Sequence, residues 1–339
     1  MAGDARTVSE AGELELVARI TARLAPPSWP RDDAAVVASP GDTLLCTTDA
    51  LVEGVDFDFS YCTGADVGWK ALAVNVSDVA AMGGAPAYAV AALSLRPDVA
   101  VAVVDEIVDG LEAAAARWGV AVVGGDVGEA RDVALSVTVV GSPSATGPVG
   151  RSGARPGDAL CVTGALGGAA GGLAALRALG RTAPAGAPRA VATALDRLRA
   201  RHLRPEARVE EARALAGAGA RAMIDVSDGL AVDLGHLTRA SGTGCDVDRD
   251  AVPVDADLGA VGRMLPATRD ALELPLLGGE DFELLAALPP ERVGDARAAL
   301  AHLGTELTAI GSITSGDAML AGRPLEDWRR LGWEHLRRP

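Results

Sequence analysis

The chain has 339 residues, 49% hydrophobic and 23% charged, which excludes a disordered polypeptide and provides enough apolar mass for about two cores. A formal net charge of −15 at pH 7 excludes the basic face that a phosphate backbone demands, so nucleic acid is not an expected partner. No apolar run reaches the roughly 18 residues of a bilayer span, and MAGDARTVSEAGELE lacks the basic start and apolar centre of a signal peptide; no membrane partner and a cytoplasmic location are expected.

In chain order, Thr7 to Glu10 fit a capping box, and Leu14, Val17, Ile20 and Leu24 follow at helical spacing. AAVVASPGDTLLCTTDA reads as two strands around a Pro-Gly-Asp turn. The spacing then predicts a helix from about Ala65 to Met82, a strand over AYAVAALSL, a helix over VAVVDEIVDGLEAAAARW, and strands over VAVVGG and VALSVTVVG. Residues 142–158, SPSATGPVGRSGARPGD, are rich in Gly, Pro and Ser, and they divide an amino-terminal domain, 1–145, from a carboxy-terminal domain, 146–339. The second half restarts with the strand ALCVTG and a helix, passes TAPAGAPRA as a surface loop, and continues in helices and strands, giving an α/β fold without a short-period repeat. Cys46, Cys62, Cys161 and Cys245 form no CxxC pair and read as core thiols rather than as a zinc site or disulfide framework.

The acids carry the chemical signal. Asp49 follows the strand LLCTT, Asp126 follows AVVGG and Asp225 follows AMI; α/β sheets place ligands at such strand ends. Asp228 opens SDGLAVDLGHL, where it or Ser227 is expected to cap a helix, and Glu280 and Asp281 lie in GGEDFELL. Asp32 and Asp33 are adjacent before AAVV, so one of the two is expected to face a site. Taken singly, an Asp at a helix start is more often a cap, and one after a strand more often a turn former.

Asp78 is different, because it lies inside a helix where no capping role exists. It shares a face with Lys70, Val74, Ser77 and Ala81, yet Lys70, the only lysine in the chain, stands about 12 Å away along the axis. A metal ion, or phosphate oxygens held by one, is therefore the expected partner; hard oxygen donors with few histidines point to Mg²⁺. GxxxxGK[ST] is absent, and GALGGAAGGL does not keep GxGxxG spacing, so close helix packing is expected there. A nucleotide would be held by cations, backbone amides and Arg151.

Together RDDAAVV, TTDALVEGVDF, KALAVNVSDVAAMGG, GGDVGEA, RSGARPGD, IDVSDGL and GGEDFEL resemble, in order, the thiamine-monophosphate kinases, over about residues 10 to 336. That family is similar to aminoimidazole ribonucleotide synthetase, selenophosphate synthetase and a hydrogenase maturation factor. The resemblance implies an amino-terminal domain that forms a β-barrel across a homodimer, and a nucleotide groove against an α/β carboxy-terminal domain. It implies that Asp33, Asp49, Asp78, Asp126, Asp225 and Asp228, with Thr47 and Thr48, hold several Mg²⁺ ions, and that Gly125, Asp126, Arg151 and Ser227 contact ATP. Glu280 and Trp333 match residues that hold thiamine phosphate; a packed tail anchor is the alternative for Trp333. Two departures stand out: Arg31 replaces the family's glycine, and Asp56 occupies the place of its substrate-contacting histidine.

The expected activity is direct in-line phosphorylation of thiamine phosphate by ATP, with neither a covalent nucleophile nor a general base. Another synthetase or dehydratase of the superfamily, or a non-catalytic nucleotide-binding dimer, is the alternative. Selenophosphate synthesis is disfavoured because no reactive cysteine lies in the amino-terminal segment.

Overall fold

A computed structural model describes residues 34–39, 42–261, 264–265 and 273–331. The opening helix, Arg31, Asp32, Asp33 and Trp333 lie outside them. In the first half, β1 (Ala35–Ser39) and β2 (Asp42–Val52) lead to α1 (Gly64–Ala81), β3 (Ala85–Leu95), α2 (Val101–Trp118), β4 (Ala121–Glu129) and β5 (Ala134–Ser142). The second half runs β6 (Ala159–Thr163), α3 (Gly168–Leu179), α4 (Arg189–Leu203), α5 (Val209–Gly217), β7 (Ala222–Asp225), α6 (Leu230–Ser241), β8 (Gly244–Val247) and α7 (Ala256–Val261). It continues through α8 (Leu274–Leu277), β9 (Leu284–Leu288), α9 (Val293–His302), β10 (Leu307–Thr314), β11 (Ala318–Leu320), β12 (Arg323–Pro324) and α10 (Leu325–Arg329).

Two sheets result. The first has order β1-β2-β5-β3-β4, antiparallel except for the β3–β4 pair, which α2 connects. Strand alternation turns Leu45, Thr47, Leu51, Leu135, Val137, Val139, Ala89 and Ala91 onto α1 and α2. The opposite face is open, with Tyr88 and Val90 exposed on β3; Val122, Val123 and Val127 are exposed on the edge strand β4. Among the described residues this sheet does not close into a barrel. The second sheet, order β12-β11-β8-β10-β6-β9-β7, is antiparallel except where β11 meets β8. No described helix is long and apolar enough to cross a membrane.

The central element is α1. Thr63 and Asp66 begin it with a reciprocal capping box, in which Thr63 Oγ1 accepts from Asp66 N at 3.2 Å and the Asp66 carboxylate accepts from Thr63 N at 3.0 Å. Glycine sets its distance from α2: a Cβ at Gly68 would stand 2.0 Å from Ile107 O, and one at Gly110 would stand 2.2 Å from Ala65 O. The other side of α1 packs on α5 and β7, so one hydrophobic cluster joins Val76, Val79 and Met82 to Ala212, Leu215 and Met223. The glycines of GALGGAAGGL perform the packing expected of them; at Gly172 a Cβ would meet Leu198 O of α4 at 2.0 Å. All four cysteines are free; Cys161 and Cys245 are buried, and burial pushes both thiols up to about 11.

Candidate active site

The helix α1 answers the question raised by Asp78. The Thr47 hydroxyl of β2 donates to Asp78 Oδ2 at 2.6 Å. One residue earlier, Ser77 Oγ donates to Asp225 Oδ2, at the end of β7, at 2.5 Å. Consecutive residues of one helix thus draw a carboxylate environment from each half of the molecule to a single turn. Lys70 does not serve Asp78; its ammonium lies 2.5 Å from Glu280 Oε1.

The other residues fall into place around this turn. Asp49 shares the α1-facing side of β2 with Thr47 by alternation. Thr48 lies on the open face, where its hydroxyl donates to Val137 O at 3.1 Å and accepts from Thr138 Oγ1 at 2.9 Å. The register pairs Asp126 with Ala92, another open-face position, so Thr48 and Asp126 do not join the Asp78 turn. Next to it, Gly125 has a steric reason to be glycine: an added Cβ would lie 1.9 Å from Ala91 O across the parallel pair. Among the described residues, no group of three His, Cys, Asp or Glu side chains is assembled that could hold a metal ion. The donors at the α1 turn are nevertheless all hard oxygens, the chemistry that suits Mg²⁺.

The loop after β7 differs from expectation. Neither Ser227 nor Asp228 caps α6; the cap position is Gly229 at φ 106, with no side-chain bond. Asp233 in the first helical turn instead accepts from Asp228 N at 3.1 Å. Ser227 O accepts from Glu280 N at 2.8 Å, and Val226 O accepts from Phe282 N at 2.9 Å, which fastens GGEDF to this loop. Within it, Glu280 (φ 67) and Phe282 (φ 50) both adopt the left-handed region that side chains disfavour. Asp281 is buried and structural, accepting from Gly167 N at 2.6 Å and Ala169 N at 3.0 Å at the start of α3; burial outweighs these bonds and raises its carboxyl to about 7. Asp56 folds onto its own turn, its carboxylate accepting from Val52 N at 2.8 Å.

Arg151 lies where the linker meets α6, its carbonyl accepting from Ser241 Oγ at 3.1 Å. Burial first, then Arg151, Arg329 and Arg239, push His236 down to about 4. Because the folded-state value is depressed, the stability His236 contributes is complete above pH 6.5 and lost as pH falls through about 4. His236→Gln is therefore expected to lose less thermal stability than the parent on acidification from pH 6.5 to pH 4, as read by melting curves across that window.

The sequence did not reveal Ser77 as the partner of Asp225, nor His202, whose Nδ1 lies 2.9 Å from Glu280 Oε2. Ser77 carried one usable signal, its position on the Asp78 face. His202, in RHLRP, carried none.

Residues 31–142 match the family model of the AIR synthase related protein, N-terminal domain, and residues 155–320 match that of the C-terminal domain. The two sheets, with their flanking helices, are therefore the two-domain α/β fold of the AIR synthase-related class. Thiamine-monophosphate kinase of Escherichia coli (strain K12) is 37% identical over 97% of this chain and 99% of its own; that of Aquifex aeolicus is 35% identical over 90% and 92%. The solved structure of AaThiL complexed with AMPPCP and TMP matches with a TM-score of 0.85 and 33% identity, covering 98% of this chain and 100% of that one. The chain belongs to the thiamine-monophosphate kinase family.

Proposed function

We propose that this chain transfers the terminal phosphoryl group of ATP to the phosphate of thiamine phosphate, giving thiamine diphosphate and ADP. The observation that carries this reading is the match, over 98% of the chain, to a relative holding AMPPCP, an ATP analogue, together with TMP. The geometry agrees with it. An acceptor phosphate is already ionised, so in-line attack on the γ-phosphorus needs positioning and charge neutralisation rather than an activated side-chain nucleophile or a general base.

Asp49, Asp78, Asp225 and Asp228, with the Thr47 hydroxyl, are the groups that would hold Mg²⁺; the resemblance alone adds Asp33, Thr48 and Asp126. Bound Mg²⁺ would supply the positive charge that the polyphosphates need in a chain with a single lysine. Ser227 and Arg151, with the glycine-constrained backbone at Gly125, are assigned to the nucleotide, and Glu280, Asp56 and Trp333 to the acceptor. The amino-terminal domain, 1–145, contributes the β2 and α1 groups, and the carboxy-terminal domain, 146–339, contributes the β7 and GGEDF loops. A second copy is proposed to cover the open face that carries Tyr88 and Val90, closing the two first-half sheets into a barrel.

Incubating the purified protein with ATP, Mg²⁺ and thiamine phosphate tests the reaction. ADP and thiamine diphosphate are expected in equal amounts. ADP alone would mean another acceptor, and no ADP would mean a non-catalytic protein.

A further inference from the structure

Lys70, Glu280 and His202 form a constellation apart from the Asp78 turn. They come from α1, the loop before β9, and α4, and Lys70 and His202 are each only 3% exposed. Glu280 Oε1 lies 2.5 Å from the Lys70 ammonium, and Oε2 lies 2.9 Å from His202 Nδ1. The same ammonium donates to Asp56 O at 3.5 Å, so it bridges the 54–62 loop of one half to the GGEDF loop of the other. Among the described residues His202 Nδ1 has no polar partner besides this carboxylate.

Three features go beyond what an internal ion pair requires. The Glu280 side chain keeps 31% of its surface open although both of its partners are buried. Its backbone stays at φ 67, although no glycine relieves it there. Burial opposes the charge on Glu280, yet Lys70 and then His202 hold the carboxyl down at about 2, so it stays ionised. Burial, and then the charge of Lys70, lowers His202, which keeps the imidazole neutral near pH 7. The result is a fixed carboxylate with one open edge.

We propose that Lys70 and His202 are positioning residues for the acceptor: they clamp the Glu280 carboxylate so that its open edge meets the amino-bearing heteroaromatic ring of a cationic acceptor. This rests on the thiamine phosphate reading above. Residue 56 is not the source of an imidazole in this chain, and its carboxylate is turned onto Val52 N. His202 therefore places the imidazole beside Glu280 from a different element.

The test compares the parent with His202→Phe, His202→Asn, Lys70→Met, Glu280→Gln and the double variant His202→Phe/Glu280→Gln. Steady-state rates at varied thiamine phosphate and varied ATP are combined with calorimetric binding of thiamine phosphate and with circular dichroism. His202→Phe is expected to raise the KM and the Kd for thiamine phosphate about tenfold while the KM for ATP stays within about twofold. His202→Asn, whose amide reaches the position of Nδ1, is expected to recover most of that loss. In the Glu280→Gln background, His202→Phe is expected to add less than about twofold, because the group it orients is already changed.

Equal changes in both KM values, or a full His202→Phe effect without the Glu280 carboxylate, would overturn the proposal. Should Lys70→Met or His202→Phe not fold, His202→Gln, which moves the donor within nearly the same volume, decides it by the same KM split. Parent turnover with no variant effect removes only the positioning role. A parent that neither binds nor phosphorylates thiamine phosphate removes the functional reading and this inference together.

Discussion

Asp78→Asn is expected to reduce turnover at saturating Mg²⁺ by about a hundredfold or more while the protein stays folded. The amide has nearly the volume of the carboxylate and still offers an oxygen to the Thr47 hydroxyl, which now stands 2.6 Å away. Local packing on α1 is therefore retained, and what disappears is the negative charge. Partial burial on a helix beside the buried Val74, Val79 and Ala81 makes such a charge costly, and a divalent ion is the partner that offsets it. Thr47→Val, which removes only the hydroxyl, is the informative comparison and should have a smaller effect. Initial rates over a magnesium titration, alongside melting curves, measure both. Full turnover in Asp78→Asn at any magnesium concentration would remove the residue from the catalytic set.

The largest effect on stability is expected from Arg208→Met, at about 3–5 kcal/mol. Glu283 is 1% exposed just before β9. Arg208 holds it from both sides, Nε to Oε2 at 2.9 Å and Nη2 to Oε1 at 2.6 Å, and Thr163 Oγ1 donates to Oε2 at 2.7 Å. Space for that carboxylate is created by Gly164, where a Cβ would lie 2.2 Å from Glu283 Oε1. Burial opposes the charge on Arg208, but the carboxylate beside it raises the guanidinium above its ordinary value. Methionine fills much of the arginine volume and, among the described residues, leaves Glu283 with Arg201, 3.9 Å away, as a counter-charge. Denaturant titration measures the loss. Arg208→Met/Glu283→Gln is expected to recover a large part of it, because a neutral amide can still bond to Thr163 without demanding a cation. No recovery would mean that packing, rather than charge, sets the cost.

The local order of the chain was legible because local physics set it. The helix expected from Ala65 to Met82 is Gly64–Ala81, bounded by the Thr63–Asp66 box and by Gly83 at φ 68. The strands with clear alternation also lie where periodicity put them. Partners distant in sequence were not legible. For Asp78, β2 supplies a hydroxyl, and Lys70 turns to Glu280; helical spacing encodes neither partner. The cap expected from Ser227 or Asp228 failed because Gly229 occupies the turn before α6 and both residues belong to the loop that GGEDF grips. Thr48 and Asp126 were read with their neighbours as one set, but pleating sends alternate residues to opposite faces, and only the observed register revealed which face each took.

The buried cluster that runs from α1 into α5 and β7 has a mechanical consequence. Proteins that clamp their ligands by hinging need a seam that parts at little cost, and here the seam is continuous apolar interior, with Ser77 and Asp225 bonded across it. Jaw-like opening would expose that interior to water. Nucleotide and acceptor must therefore enter and leave through rearrangement of strand-end loops and side chains, with the two halves moving as one body.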